Sequence, residues 1–230
     1  MNDRKGLFTD AAILKKQGRL RLPPAPPRER EELFLDATED LLSGEGPPIP
    51  GIKIKRRQVN SVHVAHVEVQ TAEAGRQIGK RPGHYITIEC PRLRTRDRSV
   101  QEEVSQLVAQ ELTRLLRLSP DAVVMVVGLG NEHATPDALG PRVVDNLLIT
   151  RHLRSFIPED LRGGLRAVCA VAPGVLGTTG IETGEIIRGI ADRVRPDVII
   201  AVDALASRSV ERLLTTIQIT DTGIHPGSGV

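Results

Sequence analysis

VVGLGNEHATPDALGP, residues 126–141, is the stretch on which the reading of this chain turns. An apolar run, Ala122 to Val127, ends in Gly-Leu-Gly-Asn, and Pro-Asp-Ala-Leu-Gly-Pro follows five residues later. A continuous apolar run of this length suits a parallel strand buried on both faces. Thr135 fits a helix N-cap and Pro136 the first helical position. The predicted helix carries Val143, Val144, Leu147 and Leu148 on its buried stripe. Asp137 then falls in the first turn, where free backbone N–H groups and the helix dipole favour a negative side chain.

The same alternation continues outward. Arg166–Val171 reads as the next strand, Thr183 as the cap of a helix carrying Ile186, Ile187, Ile190 and Val194, Asp197–Val202 as a third buried strand, and Thr216–Thr220 as a fourth. That order implies an α/β domain with a mainly parallel twisted sheet flanked by helices. A small β-rich lead-in precedes it, made of GIKIK (51–55), SVHVAHVEV (61–69) and HYITIE (84–89). The apolar phase flips between Val64 and Val67, which predicts a bulge. Ser99 and Glu102 have capping-box spacing. Val100, Val104, Leu107, Val108, Leu112 and Leu115 then recur at helical intervals, predicting an amphipathic helix over about 99–117.

Residues 1–50 differ from the rest. An amphipathic piece, Leu7 to Leu22, runs into a Pro-Pro-Ala-Pro-Pro spacer ending at Pro27, a helical patch spans Arg28 to Leu42, and a Gly/Pro-rich linker closes at Gly51. The expected division is a peripheral N-terminal arm or removable leader over 1–50 and an α/β domain over 51–230.

Composition narrows the function classes. A formal net charge of +2 sets up no strong field toward nucleic acid or membrane. Over residues 1–30 Lys and Arg outnumber Asp and Glu, which reads as a solvated charged leader with no direct nucleic-acid partner. With three Phe, one Tyr and no Trp there is no stacking platform for bases. Cys90 and Cys169 lack a CxxC spacing and read as buried thiols of a reducing compartment. The start lacks a signal-peptide pattern and no segment has the length and apolarity of a membrane span, so the expectation is a cytoplasmic protein.

In open α/β sheets functional groups gather beyond the carboxyl ends of the strands. Those ends here offer the Gly128–Asn131 turn leading to Asp137, then Ala172-Pro-Gly174, then Asp203, which directly follows an apolar strand. Two carboxylates, Asp137 and Asp203, are therefore expected to face one crevice. Asp in a first helical turn is also common without any function; Gly128 and Gly130, which let a ligand backbone approach closely, strengthen the functional reading. A phosphate-loop reading fails, because GLGN lacks the third glycine of GxGxxG and no GxxxxGK[ST] occurs. His63 and His66 lie three apart on a strand, so they face opposite sides and make no metal pair. His133 borders the glycine turn and is the candidate for metal or supporting work. Ser228 has no nucleophile-elbow context. Glu182 and Glu185 read as helix-start acids.

The combination GLGN-x5-DALGP-x-VVDNLLITRHL, APGVLGTTGIET, PDVIIAVDALASRS and TIQITDTGIHPGSGV closely resembles the germination protease family of spore-forming bacteria, from about Gly51 to Val230. The resemblance implies an endopeptidase, working without a cofactor in the spore interior, that degrades small acid-soluble spore proteins through two essential aspartates. Those aspartates fall on Asp137 and Asp203, with Gly128, Gly130, Asn131 and Thr135 forming the substrate-side loop. It further implies a zymogen, a homotetramer, and self-cleavage of a leader after an acidic residue; Thr9-Asp10 matches the family's processing site, which places the cut between Asp10 and Ala11. Family members continue beyond HPGSGV, so the chain is expected to be truncated at its C-terminal end. A weaker resemblance, to the hydrogenase maturation proteases, implies instead a metal held by Asp137, Asp203 and His133. A third expectation is an inactive polypeptide-binding or assembly module.

Overall fold

The computed structural model describes residues 7–15 (backbone), 49–158, 165–206 and 210–224. The helical patch Arg28–Leu42, the Pro-rich spacer before it and Ser228 lie outside the described residues. Leu7–Lys15 forms strand β1. The rest groups into two compact units, one holding residues 49–115 and 205–222, the other 116–204 and 223–224.

The first unit is antiparallel. Strands β2 (Ile52–Val59), β3 (Val62–Val69), β4 (Gly83–Glu89) and β8 (Thr216–Thr220) lie in the order β2-β3-β4-β8. Thr216–Thr220 therefore belongs to this sheet, paired antiparallel with β4 (Tyr85 opposite Thr220), and is not a fourth parallel strand. The sheet content is thus divided between antiparallel and parallel strands rather than mainly parallel.

The expected bulge in β3 is absent. Pairing runs unbroken from Val69 opposite Ile52 to Val62 opposite Val59, and the other edge pairs as regularly with β4. Burial changes phase because both faces of the strand are covered at different points. Val67, Val69 and Tyr85 pack with Ala74 of α1 (Ala72–Gln77) on one face. Val62 and Val64, with His66, lie on the other, where α2 (Arg98–Leu116) delivers Glu111 to His66. Helix α2 starts one residue before the expected capping box: the Asp97 carboxylate accepts from the Ser99 N–H at 2.9 Å and from its hydroxyl at 2.7 Å. The buried stripe of α2 runs Val100, Val104, Leu107, Glu111, Leu116, so a carboxylate stands where the periodicity would place an apolar residue.

The second unit is a three-stranded parallel sheet, order β7-β5-β6, with β5 (Val123–Gly128), β6 (Ala167–Val171) and β7 (Val198–Ala206). Both faces of β5 are covered, which is why its sequence is continuously apolar. Met125, Val127 and Leu129 pack with Ile199 and Ala201 against Ile187 and Ala191 of α5 (Thr183–Val194), the helix that follows the short turn α4 (Leu176–Thr179). Gly128, on the opposite face, meets Gly140 and Val144 of α3 (Leu139–Asp145). Each large apolar side chain buried here contributes roughly 1.5–3 kcal/mol.

Asp197 starts the ladder from both sides, its backbone N–H donating to the Val123 carbonyl at 2.9 Å while its carboxylate accepts from the Val123 N–H at 2.8 Å. The outer edge of β6 is closed by Thr150, which donates its backbone N–H to the Val168 carbonyl (3.0 Å) and accepts the Val168 N–H on its hydroxyl (2.9 Å). Two helix details differ from expectation. Thr183 is the first helical residue rather than the cap, its hydroxyl donating to the Gly174 carbonyl at 3.2 Å. Helix α3 ends at Asp145, so Leu148 leaves the predicted stripe and is 74% exposed.

Candidate active site at the carboxyl ends of the parallel strands

Because β5, β6 and β7 are parallel, their carboxyl ends lie on one side, where the chain places the turn 128–131, the loop 172–182 and Asp203; the last does not end its strand as expected, because β7 runs on to Ala206. Glycine shapes the first of these. Gly130 has φ +110°, a conformation that side-chain-bearing residues avoid. A Cβ there would lie 2.1 Å from the Asp137 carbonyl oxygen and 3.0 Å from its carboxyl carbon. The turn is glycine because Asp137 packs directly on it.

Asp137 sits in a 3-10 turn, Thr135–Asp137, and not in the first turn of the α-helix. The cap position of that turn is Ala134; Thr135 is exposed and its hydroxyl makes no capping bond. Helix α3 begins only at Leu139, because Asp137 closes the tighter turn by donating its N–H to the Ala134 carbonyl at 2.7 Å. The half-buried Asp137 carboxylate is held by the Asn131 backbone, whose N–H donates to Oδ2 at 2.7 Å. Asn131 is itself fixed, since its side-chain Oδ1 accepts from the His133 N–H at 3.0 Å. Dipole and capping arguments tied Asp137 to a helix start, whereas the backbone donor that holds it belongs to the glycine turn.

Asp203 lies within β7, one residue beyond the last position paired with β5, Gly128 opposite Val202. The ladder is extended by one further bond, from the Leu129 N–H to the Val202 carbonyl at 2.8 Å. Asp203 is half-buried, and its Oδ1 accepts from the Ala204 N–H at 2.8 Å. Both aspartates are thus tied to one junction: Leu129 belongs to the turn that binds Asp137, and Val202, its hydrogen-bond partner, precedes Asp203.

The loop after β6 is stitched by hydroxyls. Thr178 donates to the Val175 carbonyl at 2.9 Å, and Thr179 donates to the same carbonyl at 3.1 Å. Glu182 and Glu185 at the start of α5 are exposed and make no side-chain cap, in keeping with helix-start acids. The His133 side chain is 79% exposed and pairs with its neighbour Glu132 at 3.3 Å. Among the described residues no three His, Cys, Asp or Glu side chains group as metal ligands, so Asp137, Asp203 and His133 do not form the expected set. An open cavity of about 290 Å³ in the antiparallel unit, lined by Arg56, Gln58, His63, Thr87 and Glu89, mixes charges without bringing two acids together. Asp10 and Ala11 lie in β1.

Sequence reasoning missed one member of the junction. Gly140, in the first turn of α3, would place a Cβ 2.2 Å from the Leu129 carbonyl oxygen and 2.6 Å from that of Val202. The available signal was a glycine followed by proline at a helix start, where neither residue is needed for the helix itself.

Comparison with known proteins places the chain in one family. The family model described as germination protease matches residues 29–230. The chain belongs to the germination protease family. The germination protease of Geobacillus sp. (strain WCH70) is 51% identical over 205 residues, covering 88% of this chain and 55% of the relative. That of Caldanaerobacter subterraneus subsp. tengcongensis is 48% identical over 201 residues, 87% of this chain and 61% of the relative. That of Bacillus subtilis (strain 168) is 46% identical over 207 residues, 87% of this chain and 56% of the relative. The chain therefore spans between 55% and 61% of the length of these germination proteases. Among the described residues no helix is long and apolar enough to cross a membrane.

Proposed function

We propose that this chain carries the peptide-cleaving centre of a germination protease and that Asp137 and Asp203 are its working pair. The observation that carries the reading is the junction at the ends of β5 and β7, where the Leu129–Val202 bond ties together the two segments bearing these carboxylates. In the proposed chemistry the ionised carboxylate takes a proton from water, which attacks the scissile carbonyl. The protonated carboxyl polarises that carbonyl and then donates to the leaving amine. The Gly128–Asn131 turn and the hydroxyl-rich loop 172–182 flank the position a substrate backbone would occupy, although the space over Gly128 and Gly130 themselves, expected to admit a ligand, is filled by the main chain of Gly140 and Asp137.

The substrates proposed are small acid-soluble spore proteins, the setting is the spore interior, and the assembly is a homotetramer. The leader is proposed to be cut between Asp10 and Ala11, which N-terminal sequencing of aged protein would detect as loss of the first ten residues. The function is tested by incubating the purified chain with a small acid-soluble spore protein, with and without EDTA, and following the fragments by mass spectrometry. Discrete fragments that persist in EDTA and vanish in Asp137→Asn and Asp203→Asn support the pair. Fragments lost in EDTA indicate a metal mechanism. Full cleavage by either variant removes that aspartate from the chemistry.

A further inference from the structure

We propose that Gly140 is a positioning residue of this centre: its missing side chain seats the first turn of α3 directly on the backbone joining β5 to β7, and that seat sets the placement of Asp137 relative to Asp203. The consequence for cleavage rests on the aspartate-pair reading; the seat itself rests on backbone geometry.

Three glycines interlock at this point. A Cβ on Gly140 would lie 2.2 Å from the Leu129 carbonyl oxygen, 2.4 Å from the Leu129 nitrogen and 2.6 Å from the Val202 carbonyl oxygen. Gly128 answers from the opposite side, where a Cβ would lie 2.2 Å from the Gly140 carbonyl oxygen and 2.4 Å from its carbon. Gly130 completes the set against the Asp137 carbonyl at 2.1 Å. Every one of these atoms is main chain, so none can swing aside as a flexible side chain would.

Ordinary contact begins near 3.4 Å, so a methyl group at Gly140 requires a displacement of about 1.2 Å (3.4 − 2.2). Asp137 lies three residues before Gly140, and Asp203 directly follows Val202, so that displacement is taken up between the two aspartates. Gly140 is not among the glycines of positive φ, so alanine is conformationally acceptable and the steric seat alone is tested. A misplacement of about 1 Å at a reacting centre costs on the order of 100-fold in rate.

Gly189, in α5 of the same unit, has nothing within 4 Å of a Cβ and serves as the control. Wild type, Gly140→Ala, Gly189→Ala, Asp137→Asn and Asp203→Asn are compared for cleavage of a small acid-soluble spore protein, with kcat and KM measured separately across pH. The expected result is that Gly140→Ala keeps a cooperative melt and a KM within about twofold while kcat falls on the order of 100-fold with displaced pH limbs. Gly189→Ala should match wild type. A folded Gly140→Ala with wild-type kcat and pH profile overturns the proposal.

If Gly140→Ala does not fold, wild-type amide exchange decides. The seat requires a slowly exchanging Leu129 amide in the wild type, and fast exchange there refutes it. Cleavage that survives Asp137→Asn or Asp203→Asn overturns the pair and the catalytic consequence, and the Leu129 amide then judges the seat alone.

Discussion

Glu111 is the most exacting test of how the antiparallel unit is held together. Its side chain is 0% exposed and faces Arg57, which donates Nη2 to Oε1, Arg114, whose Nη1 lies 3.3 Å from Oε1, and His66, whose Nε2 lies 3.5 Å from Oε2. Glu111→Ala removes the anion and leaves Arg57, whose buried Nε already lacks a partner, without compensation. Breaking a buried pair by deleting one member costs about 3–5 kcal/mol. Arg57 and Arg114 are 34% and 61% exposed and can turn toward water, so the lower end, about 3 kcal/mol, is expected.

Tyr85 is the only tyrosine of the chain and is buried in this unit, so its fluorescence during urea unfolding reports on the unit alone. The double change Glu111→Met with Arg57→Met should recover most of the loss, because replacing a whole buried pair by apolar groups is often neutral or stabilising. A loss under about 1 kcal/mol in Glu111→Ala, or a double variant as unstable as the single, would refute the reasoning.

The same cluster sets a pH dependence. Burial, opposed by the Glu111 carboxylate and reinforced by Arg57 and Arg114, holds His66 below its ordinary value of 6.5. The folded unit therefore binds fewer protons at this site than the unfolded chain, so stability present at neutral pH is lost as pH falls from 6.5 through the depressed value. Removing Glu111 takes away the attraction that opposes the depression, so Glu111→Ala should lose more stability on acidification than wild type. The difference should disappear in a His66→Gln background.

Three further outcomes are expected. Thr150→Val leaves the Val168 N–H and the Arg166 carbonyl without their hydroxyl partner at the edge of β6 and should destabilise the parallel unit by about 1–3 kcal/mol, read by amide exchange across β5 and β6. Gly189→Ala, in open space within α5, should raise stability by about 0.5–1 kcal/mol, measured by thermal melting. Cys90 is fully buried, and burial pushes the Cys169 thiol above its ordinary value while its Sγ donates to the Val124 carbonyl at 3.6 Å. Iodoacetamide at neutral pH should therefore label the native chain slowly, with rapid labelling of both cysteines only in denaturant.

What was legible in the sequence depended on how local its cause was. The parallel strands around β5 announce themselves because a strand covered on both faces must be apolar at every position, and the end of such a strand is where a rigidly held carboxylate is expected. The reading of β3 as bulged failed because a change of burial phase has two causes. An extra residue shifts the pleat, whereas here helices on opposite faces cover different parts of a regular strand, and only the pairing of Val69 with Ile52 through Val62 with Val59 separates the two. Thr216–Thr220 carries no mark of its partner, so assigning it to β7's sheet or to β4 lay beyond local pattern. Glu111 was hidden for a related reason: helical periodicity locates a buried stripe but does not say that Arg57 and His66, 54 and 45 residues away, will meet a carboxylate on it.

At the candidate centre the aspartates were visible but their support was not. Asp137 and Asp203 are conspicuous as acids that follow apolar runs, whereas the atoms that place them are peptide N–H and C=O groups of Asn131, Leu129 and Val202, which any residue type could have supplied. The sequence shows such backbone contacts only through residues that must be absent. Gly128, Gly130 and Gly140 are three positions where a Cβ would strike main-chain atoms at 2.1 or 2.2 Å, so the glycines record the seat that the acids themselves do not. A glycine at a helix start with no left-handed φ to explain it is therefore evidence of backbone packed on backbone, and beside a pair of strand-end carboxylates it marks the element that fixes their geometry.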